Sequence, residues 1–365
     1  MDDHRTEPPL PTASGRSGRP TMRDVAARVG VSQALVSLVF RNAPGASSET
    51  RERVFRAAAE LGYRPDTAAQ VLRRSHSRHI GVLFMMRQPF DVDLVEAIYP
   101  AAERHGYHVV LGALGPGRDE REAVEELLAY RCEAMILLGP VTQASEFADI
   151  ARDIPVLYVA RRLTGDGVDV VRVADERGAR LAVDHLVSLG HRAIVHVDGG
   201  TKPGAPYRSR GYKQAMRRHH LDQYIRILPG DHTEESGAAA ARQLLREDRL
   251  PTAIFASNDR CSHGVLVTLI RAGLNIPGDV SLVGYDDSGL ARLSFIDLTS
   301  VHQDVNSMAE SAVDAIIERL ERGRTTSRDI VLEPTLAVRG TTGSPRRPAA
   351  AGDSSPSARS SVTSW

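Results

Sequence analysis

The sequence predicts an α/β protein: a three-helix module of helix-turn-helix type at the N-terminus, then a large doubly wound body in two lobes. Two observations carry this. Residues 21–64 hold three helical segments, each with a capping residue and helically spaced apolar positions. From residue 78 onward, short apolar runs alternate with amphipathic stretches, mostly at intervals of roughly 20–30 residues, the length of a βαβ repeat. A chain of 365 residues, 42% of them hydrophobic, is long enough for two or three domains with sizeable cores.

Taken in order, residues 1–20 and 341–365 are rich in Pro, Ser, Gly, Thr and Arg and nearly empty of apolar residues, so both read as disordered tails. Thr21 is placed to cap a helix through Val29, stopped by Gly30. Ser32 caps a second helix to about Phe40, and Asn42–Gly45 break the chain. Ser47 or Ser48 caps a third helix to Leu61, closed by Gly62. Val25, Val29, Val36, Val39, Val54, Ala58 and Leu61 would form the small core of this 21–64 unit. A linker follows over 65–77, with Asp66 opening a short helical segment. In the body, 78–340, the apolar runs are Ile80–Phe84, Val109–Leu111, Ala134–Leu138, Val156–Val159, Val170–Val173, Ala193–Val197, Ile225–Leu228, Ala253–Ala256 and Val280–Val283. Their continuous apolar character argues for parallel strands buried on both faces. Two such lobes facing one another would hold a small molecule outside the carboxyl ends of their strands.

Charge sharpens the division of labour. The formal net charge is zero, yet residues 21–78 carry ten arginines against five acidic residues, a local +5. A basic three-helix module able to enter a major groove fits double-stranded DNA as partner. Two distant cysteines without a CxxC exclude a disulfide framework and fit a reducing cytosol. The first twenty residues lack the apolar core of a signal peptide, and no run is long enough for a membrane span, so a cytoplasmic location is expected. No metal site is expected: His105, His108, His219, His220 and His232 have no carboxylate or cysteine partners at ligand spacing and read as surface histidines. GxSxG, Walker A and HExxH patterns are missing, and the Gly-rich GALGPGR (112–118) comes too late in its βα unit for a dinucleotide fingerprint. No catalytic constellation and no cofactor are expected.

Thr21, Ser32, Ser37 and Asn42 are placed to hydrogen-bond phosphates, or simply to cap their helices, two roles that coexist. Arg23, Arg41 and Arg51 are weaker phosphate candidates.

From about Arg19 to Arg339 the chain resembles the LacI/GalR family of bacterial transcription regulators. The motifs that carry the resemblance are TMRDVAARVGVS (21–32), VS (36–37), SSETRERV (47–54) and LGYRP (61–65) in the first module. AAQVL (68–72) matches the family's hinge helix. In the body they are IGVL (80–83), HLVSLGHRAI (185–194), Arg208-x-x-Gly-Tyr, SNDRCSHG (257–264), IPGDVSLVGYDD (276–287) and LTSVHQD (298–304). The resemblance implies a homodimer on a palindromic operator, and a body of periplasmic-binding-protein type. That body would hold a small effector, most often a sugar or sugar derivative, between its lobes. It implies a regulator, commonly a repressor, rather than an enzyme.

By family position, Gln33, Ala34 and Leu38 face base edges: a bidentate amide for adenine and apolar contact with a thymine methyl. Many members carry Thr at Leu35 and Arg at Leu38, so operator preference does not carry over. The resemblance also makes Leu72 a minor-groove wedge, with Ala69 allowing close approach of two hinge helices. Simple packing on the body is the alternative for Leu72. For the effector the resemblance points to Arg208, Asn258 and Asp286, with a structural ion pair between lobes as the alternative. Gln303 and Phe90 are further candidates, Phe90 as a platform for a ring. Asp91 stands where relatives often have a second aromatic residue, and makes that side of the cleft more polar. Arg161 follows the Val156–Val159 run and could line the cleft, and TKPGAPYRSR (201–210) reads as a cleft-edge loop. A secreted sugar-binding protein would need a signal peptide and no basic module; the sequence has the reverse.

Overall fold

A computed structural model describes residues 20–41, 43–63, 76–140, 142, 144–162 and 167–346. The chain divides into two compact units, Met1–Ser77 and Arg78–Trp365. Asn42, Ala69, Leu72 and most of both tails lie outside the described residues.

In the first unit the capping chemistry sets the helix ends. Helix α1 (Met22–Val29) starts with a capping box between Thr21 and Asp24 and stops at Gly30, whose φ of 74° is left-handed. Helix α2 (Gln33–Phe40) is capped by the Ser32 hydroxyl, which accepts from Leu35 N–H. Helix α3 (Ser48–Leu61) is capped by Ser47 and closed by Gly62. Val25, Val36 and Val54 are fully buried at the centre, with Val29, Val39 and Ala58 around them. Arg51 donates to the carbonyls of Ala43 and Ala46, so it braces the turn before α3.

The body is two six-stranded sheets. The first lobe holds β1 (His79–Met85), β2 (His108–Leu114), β3 (Ala134–Leu138), β4 (Val156–Val159), β5 (Asp169–Val173) and, later in the chain, β11 (Asp329–Leu332). Its order is β11-β5-β4-β3-β1-β2, every pair parallel. Helices α4 (Pro89–Arg104), α5 (Glu120–Ala129) and α6 (Ala148–Asp153) connect the strands. The second lobe holds β6 (Ile194–Val197), β7 (Arg226–Leu228), β8 (Ala253–Ala256), β9 (Ser281–Asp286), β10 (Thr299–His302) and β12 (Thr335–Ala337). Its order is β12-β10-β9-β8-β6-β7, with β12 antiparallel at the edge. Helices α7 (Asp175–Ser188), α8 (Ala205–Arg218), α9 (Glu234–Leu245) and α10 (Asp259–Arg271) pack on it. The chain passes between lobes three times: from β5 to α7, from β10 to α11 (Val305–Arg322), and from β11 to β12. Helix α11 returns to the first lobe, where Met308, Val313 and Ile316 join the core of β1 and α4.

Nine of the strands match apolar runs of the sequence; β10, β11 and β12 do not. Their residues are polar or alternate at an exposed edge, so they lack the continuous apolar signature of a central strand. The tail assignment fails at its start. Residues 341–346 run against the second lobe, where the Thr341 hydroxyl donates to Leu282 O and accepts from Thr299 N–H. The carbonyl of Gly343 meets His191 and Ser281. Among the described residues, no helix is long and apolar enough to cross a membrane.

Candidate functional site

Two surfaces carry chemistry, one in each unit. On the first, Gln33 and Ala34 open α2 on its exposed side, and the Gln33 side chain makes no hydrogen bond among the described residues. Ser32 is also exposed; its oxygen accepts in the cap while its hydroxyl proton stays available. Ser37 is half-buried with an unengaged hydroxyl, and its carbonyl accepts from Arg41 Nε. Thr21 is different. Its N–H and hydroxyl both donate to Asp24 Oδ2, at 2.8 and 2.7 Å, which leaves the side chain no free donor. Leu38 is half-buried and leans on the turn, where a Cβ on Gly45 would sit 3.3 Å from its Cδ1.

The second surface is a cleft of about 630 Å³ between the lobes of the body. The first lobe contributes Met85, Gln88, Phe90, Asp91, Gly139 and Ala160; the second contributes Lys202, Pro203, Arg208, His232, Asn258 and Asp286. Met85, Gly139, Ala160, Asn258 and Asp286 stand at the carboxyl ends of β1, β3, β4, β8 and β9, where a doubly wound sheet places its ligand. Gln303 completes the lining from the crossover between β10 and α11.

Arg208 is the centre of the second wall. Buried on α8, it donates from Nε to Asp175 Oδ1 (2.9 Å) and from one terminal nitrogen to Ser257 O (2.6 Å) and Asp286 Oδ1 (3.4 Å). Its guanidinium lies 3.6 Å from the centre of the Tyr285 ring. The alternative reading, an ion pair between lobes, is not met: these ion pairs lie within the second lobe. Gly204, with φ of 77°, caps α8 beside them; a Cβ there would come within 2.9 Å of the guanidinium and 3.0 Å of Asp175. Gln303 donates to Asp286 Oδ1 at 2.8 Å. Asp286 ends β9 with φ of 105°, a strained conformation for a non-glycine residue that aims its carboxylate at the cleft. Burial raises the Asp286 carboxyl above the ordinary range, against the pull of Arg208.

Asn258 lines the cleft but also caps α10: its oxygen accepts from Cys261 N–H (2.9 Å) and its amide donates to His232 O (3.3 Å). Phe90 and Asp91 lie in the first turn of α4 and are both buried. Asp91 Oδ2 accepts from Met85 N–H (3.0 Å), and burial raises its carboxyl to about 7, a shift that this bond opposes.

Two expectations change. Arg161 does not line this cleft: it donates to the carbonyls of Pro140 and Thr142 and borders a neighbouring hollow with Arg162 and Tyr207. A guanidinium at the end of β4 can satisfy exposed carbonyls of the next loop, and here it does. His232 is not a surface residue but buried in the cleft, where burial, helped by Arg208, pushes its imidazole well below the usual range. His105 and His219 do stand at the surface, partly exposed, and pair there with Asp314 and Asp184. Asp175 and Tyr285 went unseen as site residues, since nothing local in sequence couples them to Arg208. Lys202 and Pro203 do stand at the cleft edge, but only 201–204 form a loop there: from Ala205 the stretch is the first turns of α8. Among the described residues, no group of three His, Cys, Asp or Glu is placed to hold a metal.

Comparison with known proteins follows the same two units. A model described as bacterial regulatory proteins, lacI family, matches residues 21–66, and one described as periplasmic binding protein-like domain matches 183–342. The HTH-type transcriptional repressor CytR of Escherichia coli (strain K12) is 30% identical over 329 residues, spanning 88% of this chain and 96% of its own. The HTH-type transcriptional regulator GalR of Salmonella typhimurium (strain LT2) is 30% identical over 330 residues, spanning 89% and 96%. Among solved structures, a LacI transcriptional regulator from a Rhodococcus species is 45% identical with a TM-score of 0.72, over 74% of this chain and 100% of that one. The lac repressor dimer bound to operator and the anti-inducer ONPF is 31% identical with a TM-score of 0.74, over 90% and 100%. A complex of the regulator CelR with cellobiose is 28% identical with a TM-score of 0.65, over 89% and 100%.

Proposed function

The chain belongs to the lacI family of bacterial regulatory proteins, and from that premise we propose that it represses transcription as a homodimer on a palindromic operator, under control of a small molecule bound between its lobes. One observation carries the reading: the same chain joins a helix whose N-terminal face is exposed and uncommitted to a cleft where buried polar side chains converge. Relatives support each half. The lac repressor structure is a dimer on operator DNA, and the CelR structure holds cellobiose. A sugar or sugar derivative is accordingly the class of effector we assign, and Arg208, Asp286, Asn258 and Gln303 would hydrogen-bond it against the Phe90 ring. Gln33 and Ala34 would meet base edges, while Ser32 and Ser37 would meet phosphates. Leu72 and Ala69 would form the minor-groove wedge of paired hinge helices.

The test is selection of bound duplexes from a random pool by the full-length protein at near-physiological salt, with and without candidate sugars. A palindrome whose recovery responds to one sugar is expected. Recovery of sequences without any shared half-site would remove the operator reading. In the same assay Leu72→Ala should weaken specific binding and leave salt-sensitive, non-specific binding nearly intact; equal loss of both would rule out the wedge.

A further inference from the structure

The two walls of the cleft make different demands on an occupant. The first-lobe wall contains Met85, Gln88, Phe90, Gly139, Ala160 and a single charged side chain, Asp91. Asp91 is 8% exposed; one oxygen accepts from Met85 N–H and the other has no partner among the described residues. Asp286, also 8% exposed, gives one oxygen to Arg208 and Gln303 and likewise leaves the second without a partner. Arg208 is already engaged by Asp175 and the Ser257 carbonyl. Three buried carboxylates therefore meet one buried guanidinium, and the only other cation in the lining is half-buried Lys202. Independently of this acidic set, His232 is 7% exposed, lines the same cleft and leaves its Nε2 without a hydrogen-bond partner.

Buried carboxylates in excess of cations are costly, and buried acceptors without donors are costly as well. A ligand hydroxyl brings one donor and no charge. An ammonium group brings three donors and a full positive charge.

We propose that the cleft takes a ligand bearing a basic amine, such as an amino-substituted sugar, with the ammonium held between Asp91 of one lobe and Asp286 of the other. The polar remainder of the molecule is held by Arg208, Asn258 and Gln303, and Phe90 covers its apolar face. His232 lines the same wall with its Nε2 packed against Gly199, and adds no cation to it. Asp91 is then the residue that sets specificity for charge. This rests on the cleft being the effector site and names the chemistry of its occupant. The carboxylate also ties the start of α4 to the end of β1 through Met85 N–H. An asparagine oxygen keeps that bond, so Asp91→Asn removes the charge and spares the brace.

The experiment is thermal-shift screening followed by calorimetry of the full chain. The probes are glucosamine, galactosamine and mannosamine, each beside its N-acetyl form and its parent sugar. At least one amine should bind the wild type about tenfold or more tighter than its neutral counterparts, and lose about that factor in Asp91→Asn. The proposal is overturned if no amine outbinds its neutral counterparts, or if Asp91→Asn binds the amine unchanged. Neutral sugars that bind the wild type as tightly as their amines and are lost in Asp286→Asn would overturn it and leave the effector cleft standing. Binding indifferent to Asp286 would remove both.

Discussion

Burial lifts the Asp91 carboxyl to about 7 from an ordinary value of 3.8, with Met85 N–H pulling the other way. Asp286, Arg208, Lys202 and His232 face it across the cleft. The native state therefore holds this proton more tightly than the unfolded chain does. The stabilisation it gives is complete below about pH 4 and lost as pH rises through 7. Asp91→Asn should consequently be more stable than the wild type at pH 8, by something on the order of 1–2 kcal/mol, and converge with it toward pH 4. Denaturant titrations at pH 5 and pH 8 measure this, and parallel behaviour of the two proteins would contradict it. On the other surface, Gln33→Ala should flatten preference at one symmetric operator position at a cost of about 1–3 kcal/mol; an unchanged preference matrix would exclude Gln33 from base readout. Motif position alone leads to Arg208, Asp286, Asn258, Gln303 and Phe90. Asp175, Tyr285 and His232 were not legible, because each meets Arg208 or the cleft only after folding brings distant segments together. Arg161 misled for a related reason: a strand-end arginine looks the same in sequence whether it serves a ligand or a carbonyl.

At the scale of elements, helix α4 reaches both into the cleft and across it. Asp91 and Phe90 line the cavity, whereas Asp93 Oδ2 accepts from Gly289 N–H and from Arg292 of the second lobe, both at 2.9 Å. Arg292 is nearly half exposed, so its charge adds under about 1 kcal/mol; the backbone donor gives the contact its direction. Asp93→Ala should loosen the lobes, broadening the distance distribution between spin labels on α4 and α10 in the ligand-free protein. It should also weaken any lobe-bridging ligand several-fold, because the closed population falls. An unchanged distribution would mean that the three chain crossings alone set the lobe arrangement. The crossings are also where the sequence was least informative. Strands β1 to β9 announce themselves by buried apolar runs, but β10 is short and polar. β11 and β12 are edge strands whose pairing depends on partners far away in sequence. Thr341 and Gly343 were hidden in the same way, since a threonine bonded to backbone and a threonine in a tail have the same composition.

For the molecule as a whole, a ligand can shift the lobes only by as much as it prefers one arrangement over the other. Asp286 is placed to convert occupancy into such a preference. It sits at the strained end of β9 and accepts from Gln303, and Gln303 lies on the crossing that carries the chain from β10 back to α11. A ligand that engages the free oxygen of Asp286 therefore pulls on a carboxylate already bonded to an interlobe segment. A ligand held by the first lobe alone would bind without that consequence. Asp286→Asn tests the difference at little structural risk, because asparagine tolerates a positive φ and Asp175 still faces Arg208. We expect operator affinity without ligand to stay within about threefold of the wild type, a difference under roughly 1 kcal/mol. The ligand-dependent change in that affinity should vanish, read by fluorescence anisotropy with the palindrome recovered from selection. A response that persists in the variant would place the coupling elsewhere on the cleft wall, and loss of ligand-free operator binding would show that Asp286 maintains the fold rather than the switch.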